Sequence, residues 1–184
     1  MNTTIFTRLI DALWVLLIVY LTVSSIGVKR DTQRHFLQSA VLTLAILASI
    51  LLPRLPVFRP LNSSPANPVV GSIGVLLCVA GMAFLVWARQ TLGRNWSQIV
   101  AAKEGQELIT AGPYRIVRHP MYTGGIVACI GSAIVSGAWI FLLIVLGAIF
   151  LWRVGAEDKL MERQFPKEYP AYKQRTKALI PFVW

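Results

Sequence analysis

Long apolar runs separated by short polar blocks dominate this sequence. Three of them, residues 5–28, 36–52 and 69–87, have the length that an α-helix needs to cross a hydrocarbon core about 30 Å thick. A fourth run, residues 122–152, is too long for one such helix, and Ser136-Gly137 within it predicts a tight turn between two helices. The pattern therefore predicts an all-α integral membrane protein with about five transmembrane helices.

Polar segments interrupt and follow these runs. Residues 53–68 are rich in proline, so a helix cannot continue through them, and residues 88–121 are polar and broken. The charged tail from Arg153 predicts a helix lying at the membrane interface, with residues 180–184 supplying aromatic anchors. Pro166 and Pro170 bend this tail, so we expect a C-terminal interfacial lid segment that folds back on the protein.

Composition agrees with a membrane protein and narrows the possible partners. Only 14% of the 184 residues are charged and the mean hydropathy is +0.61, whereas a soluble domain carries about 25% charged residues. The net charge of +10 raises the possibility of nucleic acid, but the cations lie at the ends of apolar runs, where they meet lipid headgroups. Cys78 and Cys129 lie inside apolar runs without CxxC spacing, so we expect no metal and no disulfide.

The Lys and Arg residues are divided very unevenly between alternate loops. Residues 29–35 hold three of the 18, residues 88–121 hold five and the tail from Arg153 holds seven. The opposite side holds only Arg8, Arg54 and Arg59. The positive-inside rule then puts the N-terminus outside and the C-terminus in the cytoplasm. The polar block and the tail therefore share the cytoplasmic face, where they can meet.

Residues 112–124 combine helix breakers, cations and aromatic rings at a membrane edge. Pro120 presets the first turn of the following helix, so Arg118 and His119 lie at a helix N-terminus, which favours an anion. Flat ring faces and hydroxyls come from Tyr114 and Tyr122. These residues predict a binding site, but a topology signal followed by a helix start would give the same pattern.

Two adjacent carboxylates, Glu157 and Asp158, lie near the end of the last apolar run. Carboxylates at that depth are costly without partners. They could hold an ammonium group or pair with Arg118 and Arg153, or they could belong to a solvated helix face.

Two motifs in this order resemble the isoprenylcysteine carboxyl methyltransferase and phospholipid methyltransferase families. The first runs Leu108-x-Thr110-x-Gly112-Pro113-Tyr114-x-x-x-Arg118-His119-Pro120-x-Tyr122-x-Gly124, and the second comprises Glu157-Asp158-x-Leu160, Phe165, Tyr169 and Tyr172. The resemblance covers roughly residues 87–181, and residues 92–97 are similar to the bacterial members. The family's Glu-Glu pair is Glu157-Asp158 here.

The resemblance implies that S-adenosylmethionine binds at the cytoplasmic face under a lid. Its carboxylate would meet Arg118, His119 and the helix start at Pro120, its ammonium Glu157 beside Asp158, and its adenine Tyr114 or Tyr122. Glu157 and Arg163 are the candidate catalytic residues, since Arg163 could hold an anionic acceptor. We expect one membrane methyltransferase domain over residues 1–184, with variable spans in residues 1–68 and the catalytic core in residues 69–184.

The predicted function is methyl transfer to a lipophilic acceptor, such as an isoprenylcysteine-like carboxylate, in a multi-pass protein of a bacterial inner membrane. A phospholipid amine or a small thiol remains an alternative acceptor. A non-catalytic membrane anchor or assembly protein also remains open. A small transporter is disfavoured because no predicted span carries an ionisable residue near its middle. The partners expected are the acceptor and membrane lipids, with neither nucleic acid nor metal.

Overall fold

A computed structural model describes residues 4–24, 67–95 and 107–181, with single residues 44, 47, 48, 51 and 65 between them. Five α-helices lie within the three long described ranges: α1 (Thr4–Ser24), α2 (Pro68–Leu92), α3 (Pro120–Val135), α4 (Trp139–Gln164) and α5 (Tyr169–Arg175). Short 3-10 helices follow α2 at Gly93–Asn95 and precede α3 at Gly112–Arg115. In these ranges no β-strand forms, and a single parallel bridge joins Val117 to Lys177. The all-α prediction is confirmed.

Three of these helices are long and apolar enough to cross a membrane: Ile5–Ser24, Pro68–Leu92 and Trp139–Gln164. The fourth apolar helix, Pro120–Val135, is shorter. Large apolar side chains on them are exposed, including Leu16 at 65%, Leu76 at 68% and Phe141 at 66%. Such surfaces suit contact with lipid acyl chains, so the chain is a membrane protein.

The predicted break in the fourth apolar run is confirmed. Helix α3 ends at Val135 and α4 begins at Trp139, while Ser136 adopts an extended conformation between them. The predicted second span, residues 36–52, lies outside the described residues apart from four helical positions, 44, 47, 48 and 51. Residues 96–106 and the terminal anchors at 182–184 also lie outside them.

One expectation was wrong: no new interfacial helix begins at Arg153. Helix α4 continues past Arg153 to Gln164. Residues 153–164 contain no proline, and most of them, including Glu, Lys, Leu, Met and Arg, are good helix formers. The chain therefore leaves the helix only just before Pro166, and Arg153, Glu157 and Asp158 are carried on the last turns of the membrane helix itself.

Helices α2 and α3 pack closely because glycines face each other across their interface. A Cβ built on Gly81 would lie 2.4 Å from the backbone nitrogen of Ala128 and 2.6 Å from the carbonyl oxygen of Gly124. A Cβ on Gly131 would lie 2.4 Å from the backbone nitrogen of Cys78. Small residues let two membrane helices approach to backbone contact. This contact fixes the start of α3, and hence residues 118–122, against the second half of α2, near Gly81 and Leu85.

We expect Gly81→Ala to lower the free energy of unfolding by about 1–3 kcal/mol, because the added methyl meets rigid backbone. Gly147→Ala is the matched control, since its Cβ would meet nothing within 4 Å. Thermal unfolding in detergent measures both variants. Equal unfolding midpoints for the two variants would contradict the close α2–α3 packing.

Helix α1 is attached to the other helices by polar contacts as well as apolar packing. The indole of Trp14 donates to the hydroxyl of Ser132 over 2.9 Å and stacks on Trp139 with ring centroids 5.1 Å apart. At its other end, the carbonyl of Ser24 accepts from Arg89 Nη2 at 2.5 Å. Arg89 also donates to the carbonyl of Gly93, so one buried guanidinium binds the ends of both α1 and α2.

Candidate active site

The segment before α3 is shaped by a tight turn. Gly112 has φ +57, which a residue with a side chain adopts only at a cost. Pro113 is the second residue of the 3-10 helix that buries Tyr114. Pro120 occupies the first turn of α3, with His119 as its N-cap residue. Arg118 and His119 therefore lie immediately before the helix, as predicted from Pro120.

The segment from residue 165 to 181, called the tail segment below, runs alongside residues 117–119. The backbone N–H groups of Arg118 and His119 donate to the carbonyls of Lys177 and Ala178 over 2.8 Å and 3.0 Å. One turn further, the hydroxyl of Thr123 donates to the carbonyl of Leu179 over 2.7 Å. The two motifs, far apart in the sequence, are thus joined by backbone hydrogen bonds.

His119 lies between two adjacent carboxylates of α4, those of Glu157 and Asp158. Its Nδ1 is 3.3 Å from a carboxylate oxygen of Glu157, and its Nε2 is 3.0 Å from a carboxylate oxygen of Asp158. Burial alone would lower the pKa of His119, but the hydrogen bonds to Asp158 and Glu157 outweigh burial and raise its pKa. A ring with an acceptor at each nitrogen is best satisfied as imidazolium, which donates from both.

Arg118 connects the second carboxylate to the tail segment. Its Nη2 lies 3.2 Å from Asp158 Oδ2, and its Nη1 donates to the carbonyls of Lys173 and Thr176. Those carbonyls belong to the C-terminal end of α5, where a cation also complements the helix dipole. Arg118 Nε is buried and has no hydrogen-bond partner among the described residues.

Glu157 takes part in a second set of contacts, deeper along α4. Tyr122 donates its hydroxyl hydrogen to Glu157 Oε1, and Arg153 donates to the Tyr122 hydroxyl over 2.8 Å. Arg153 Nη2 lies 3.1 Å from the same carboxylate oxygen. The ring of Tyr122 stacks between His119, with centroids 5.6 Å apart, and Phe150, with centroids 4.5 Å apart. An aromatic stack therefore leads from the charged groups into the apolar interior.

Two tyrosines of the tail segment, Tyr169 and Tyr172, donate hydrogen bonds to residues of the site. Tyr169 donates to Asp158 Oδ1, and Tyr172 donates to the carbonyl of Tyr114 over 2.7 Å. Burial raises the pKa of Tyr172 to about 12, and burial also raises the pKa of Tyr169 and of Tyr114. All three hydroxyls therefore stay protonated at neutral pH. They can donate hydrogen bonds, and the rings that carry them supply aromatic surface.

These contacts define one buried charged cluster, made of Arg118, His119, Arg153, Glu157 and Asp158. Four of the five side chains are 8–10% exposed, whereas Glu157 is 22% exposed. With His119 protonated, the cluster contains three cations and two carboxylates. It therefore carries a net positive charge of one, and it can complement one further anionic group.

The structure brings most of the predicted site residues to this cluster. Arg118, His119, Tyr122, Glu157 and Asp158 contact one another, Pro120 begins α3 beside them, and Tyr114 lies under the tail segment. Their role in binding a cofactor stays a prediction. Arg163 is exposed on α4 and makes none of the contacts that build the cluster.

Sequence reasoning missed Arg89 and gave Arg153 only a pairing role. Arg89 is 6% exposed in the last turn of an otherwise apolar helix, and its charge lies near Tyr114. A cation in that position was the available signal, because ionisable residues within membrane helices are usually functional or paired. Arg153 has the same signature on α4.

Comparison with known proteins identifies the family. A model of the phospholipid methyltransferase family matches residues 70–168, more than half of the chain. The chain belongs to this family. The matched region begins in α2 and includes α3 and α4, so it contains every residue of the charged cluster. The resemblance inferred from the two motifs is confirmed.

The chain is also similar to curated proteins, some of which are named as methyltransferases. The chain is 26% identical over 164 residues to protein-S-isoprenylcysteine O-methyltransferase B of Arabidopsis thaliana, covering 85% of this chain and 82% of that protein. It is 26% identical over 119 residues to a probable protein-S-isoprenylcysteine O-methyltransferase of Oryza sativa subsp. indica, covering 62% of each. It is also 31% identical over 113 residues to the nickel-cobalt-cadmium resistance protein NccN of Alcaligenes xylosoxydans xylosoxydans, covering 52% of that protein. The chain therefore spans between about half and four fifths of these relatives.

Proposed function

We propose that this protein is a membrane methyltransferase that uses S-adenosylmethionine to methylate a lipophilic acceptor at the cytoplasmic face. The observation that carries the proposal is the buried charged cluster, which lies within the family's matched region and beneath the tail segment. Residues 69–184 would form the catalytic core and residues 1–68 the variable spans. A family of methyltransferases implies a methyl donor, and the residues of the cluster support S-adenosylmethionine as the proposed donor.

The side chains present suit the amino-acid end of S-adenosylmethionine. Arg118 keeps a buried Nε–H without a partner among the described residues, and the cluster has one uncompensated positive charge. Both features complement a carboxylate. Glu157 is the more exposed of the two carboxylates, so it is the one available to an ammonium group. The ring of Tyr122 is already stacked between His119 and Phe150, so Tyr114 is the tyrosine proposed to take the adenine ring.

Within this arrangement each residue has a positioning or binding role. His119 holds Glu157 and Asp158 at a fixed separation, and Arg118 ties Asp158 to the tail segment. Arg153 and Tyr122 fix the orientation of the Glu157 carboxylate. The tail segment would exclude water from the reacting atoms. When bound, S-adenosylmethionine supplies a methyl group on a positively charged sulfur, and the protein's contribution is alignment of the acceptor with it.

The charge of the cluster favours an anionic acceptor over a cationic one. An ammonium acceptor would add a fourth cation to a cluster that already has three cations and two carboxylates, and it would have to lose a proton before methylation. Every described carboxylate and ring nitrogen of the cluster is already hydrogen-bonded, so none is free as a base. A carboxylate needs no base, and its charge would offset the positively charged sulfur of the bound cofactor, so a prenylcysteine-like carboxylate is the proposed acceptor.

The test uses detergent-purified protein and three acceptors: an S-prenylated cysteine, phosphatidylethanolamine and a long-chain thiol. Radiolabelled methyl from S-adenosylmethionine should enter the first as an alkali-labile ester that releases methanol. Calorimetry with S-adenosylhomocysteine measures binding separately. Binding with alkali-stable label in the phospholipid would overturn the carboxylate assignment but leave the methyltransferase. Absence of binding would favour the non-catalytic anchor or assembly protein.

We expect the tail segment to face the cytoplasm and the α3–α4 turn to face the opposite side. A cysteine replacing Gly137 should react with an impermeant maleimide added to intact cells, and one replacing the exposed Gln174 should not. Both variants carry alanine in place of the buried Cys78 and Cys129. Labelling of Gln174→Cys but not of Gly137→Cys would show that the topology is the reverse of the one proposed, with the site on the side away from cytoplasmic cofactor.

A further inference from the structure

Two exposed isoleucines distinguish the edge where the tail segment meets the residues before α3. Among the described residues after α2, large apolar side chains that are exposed lie almost all on α3 and α4. The exceptions outside any helix are Ile116, which is 44% exposed, and Ile180, which is 54% exposed. They flank the paired backbone of Val117 and Lys177, one before it and one after it.

The hydrogen bonds fix the depth of Ile180 relative to the membrane. The preceding residue, Leu179, accepts through its carbonyl from Thr123, which lies in the first turn of α3. From that turn to Val135, α3 contains no charged residue. Ile180 therefore lies beside the start of an apolar helix, at the level where hydrocarbon gives way to headgroups.

The surroundings of both isoleucines are cationic. Arg115 precedes Ile116, and Arg175 and Lys177 precede Ile180; all three are exposed. Neither residues 112–124 nor residues 169–181 contain an Asp or a Glu. The described edge thus combines apolar side chains with cations that have no acidic neighbour along their own segments. This is the composition of a surface that binds anionic lipid headgroups.

We propose that this edge, formed by Arg115, Ile116, Arg175, Lys177 and Ile180, docks on a bilayer of anionic phospholipids. The isoleucines would enter the acyl boundary and the cations would bind headgroup phosphates. The inference goes beyond methyl transfer and does not depend on it.

Docking would also stabilise the charged cluster, because the same stretch of backbone serves both. The carbonyls of Thr176 and Lys177 accept from the side chain and the backbone N–H of Arg118, and the carbonyl of Ala178 accepts from His119. The side chains of Arg175, Lys177 and Ile180 remain exposed on the outside. A bilayer that holds these side chains therefore holds the tail segment against the cluster.

The experiment compares amide hydrogen exchange in nanodiscs of phosphatidylcholine alone and in nanodiscs that also contain phosphatidylglycerol. Amides of residues 169–180 should exchange more slowly in the anionic discs, by roughly fivefold for each cation engaged. Raised salt should remove the difference, since exposed charges are screened. Equal exchange in the two kinds of disc would overturn the proposal.

Matched variants locate the effect. Arg175→Gln with Lys177→Gln, and separately Ile180→Ser, should lose most of the difference between discs. Lys159→Gln with Lys167→Gln removes the same charge from exposed positions outside the edge. This control pair should keep the difference in exchange between the two kinds of disc. Equal losses in the two charge pairs would mean a general attraction of basic protein to anionic lipid, and the edge would then not be the docking surface. If the first pair fails to insert, the salt response of the unmodified protein decides.

Discussion

Replacing His119 by alanine should weaken S-adenosylhomocysteine binding by about 1.5–3 kcal/mol, roughly ten- to hundredfold, which is the range for hydrogen bonds to charged groups. The ring connects Glu157 and Asp158 through its two nitrogens. Without it, two buried carboxylates lose a shared cation and repel each other. Glu157 would then no longer be held where a ligand ammonium could meet it. Methyl transfer should fall at least as far as binding.

Calorimetry and single-turnover transfer in detergent measure the two effects. Lys159→Ala, an exposed position on α4 next to Asp158 in sequence, is the control and should leave both unchanged. Monodispersity on size exclusion shows whether His119→Ala is folded. A folded variant with unmodified affinity would remove His119 from the proposed cofactor site.

The raised pKa of His119 also predicts how stability depends on pH. Because the folded protein binds the imidazolium proton more tightly than the unfolded chain does, this stabilisation is complete below the ordinary pKa of about 6.5. It is lost as pH rises through the raised pKa. The difference between the thermal unfolding midpoints of the unmodified protein and His119→Gln should therefore be largest in acid and shrink with rising pH. A constant difference would show that His119 does not bind this proton.

Much of the fold was predictable because membrane helices have strong local signals. The length of residues 122–152 excluded a single helix, and Ser136-Gly137 marked the break that the structure has. Pro120 likewise predicted the start of α3. The extension of α4 beyond Arg153 was missed because its charges were interpreted as the end of the span. Arg153 and Glu157 are four residues apart and form an ion pair on one face of the helix, so these charges are satisfied by the protein rather than by water.

The partners within the site were much less predictable than its members. Pairing of the two carboxylates with Arg118 and Arg153 was one of the alternatives left open, and the structure has both ion pairs. The contacts of His119 with both carboxylates, and those of Arg118 with carbonyls of the tail segment, were not foreseen. The pairing of Val117 with Lys177 joins residues far apart in the sequence. This pairing depends on backbone groups, which every residue carries, so the residue types at these two positions do not reveal it. From the sequence, the distribution of Lys and Arg among the loops indicated that the two motifs share one face of the membrane and can meet there.

Truncation after Gln164 should leave the membrane helices inserted but reduce methyl transfer by two orders of magnitude or more. The change removes the hydroxyl contacts of Tyr169 and Tyr172 and the carbonyls that hold Arg118. It also opens the cluster to water, which weakens every charge interaction there.

A milder change, Tyr169→Phe with Tyr172→Phe, keeps the rings and loses only the hydrogen bonds of the hydroxyls, so it separates loss of cover from loss of folding. This double variant should lower transfer less than truncation does and should speed tryptic cleavage at the exposed Lys167.

In the unmodified protein, saturating S-adenosylhomocysteine should slow tryptic cleavage at Lys167, because a ligand beneath the tail segment stabilises its closed position. Cleavage at the same rate with and without ligand, in protein shown by calorimetry to bind it, would mean that the tail segment does not cover the site.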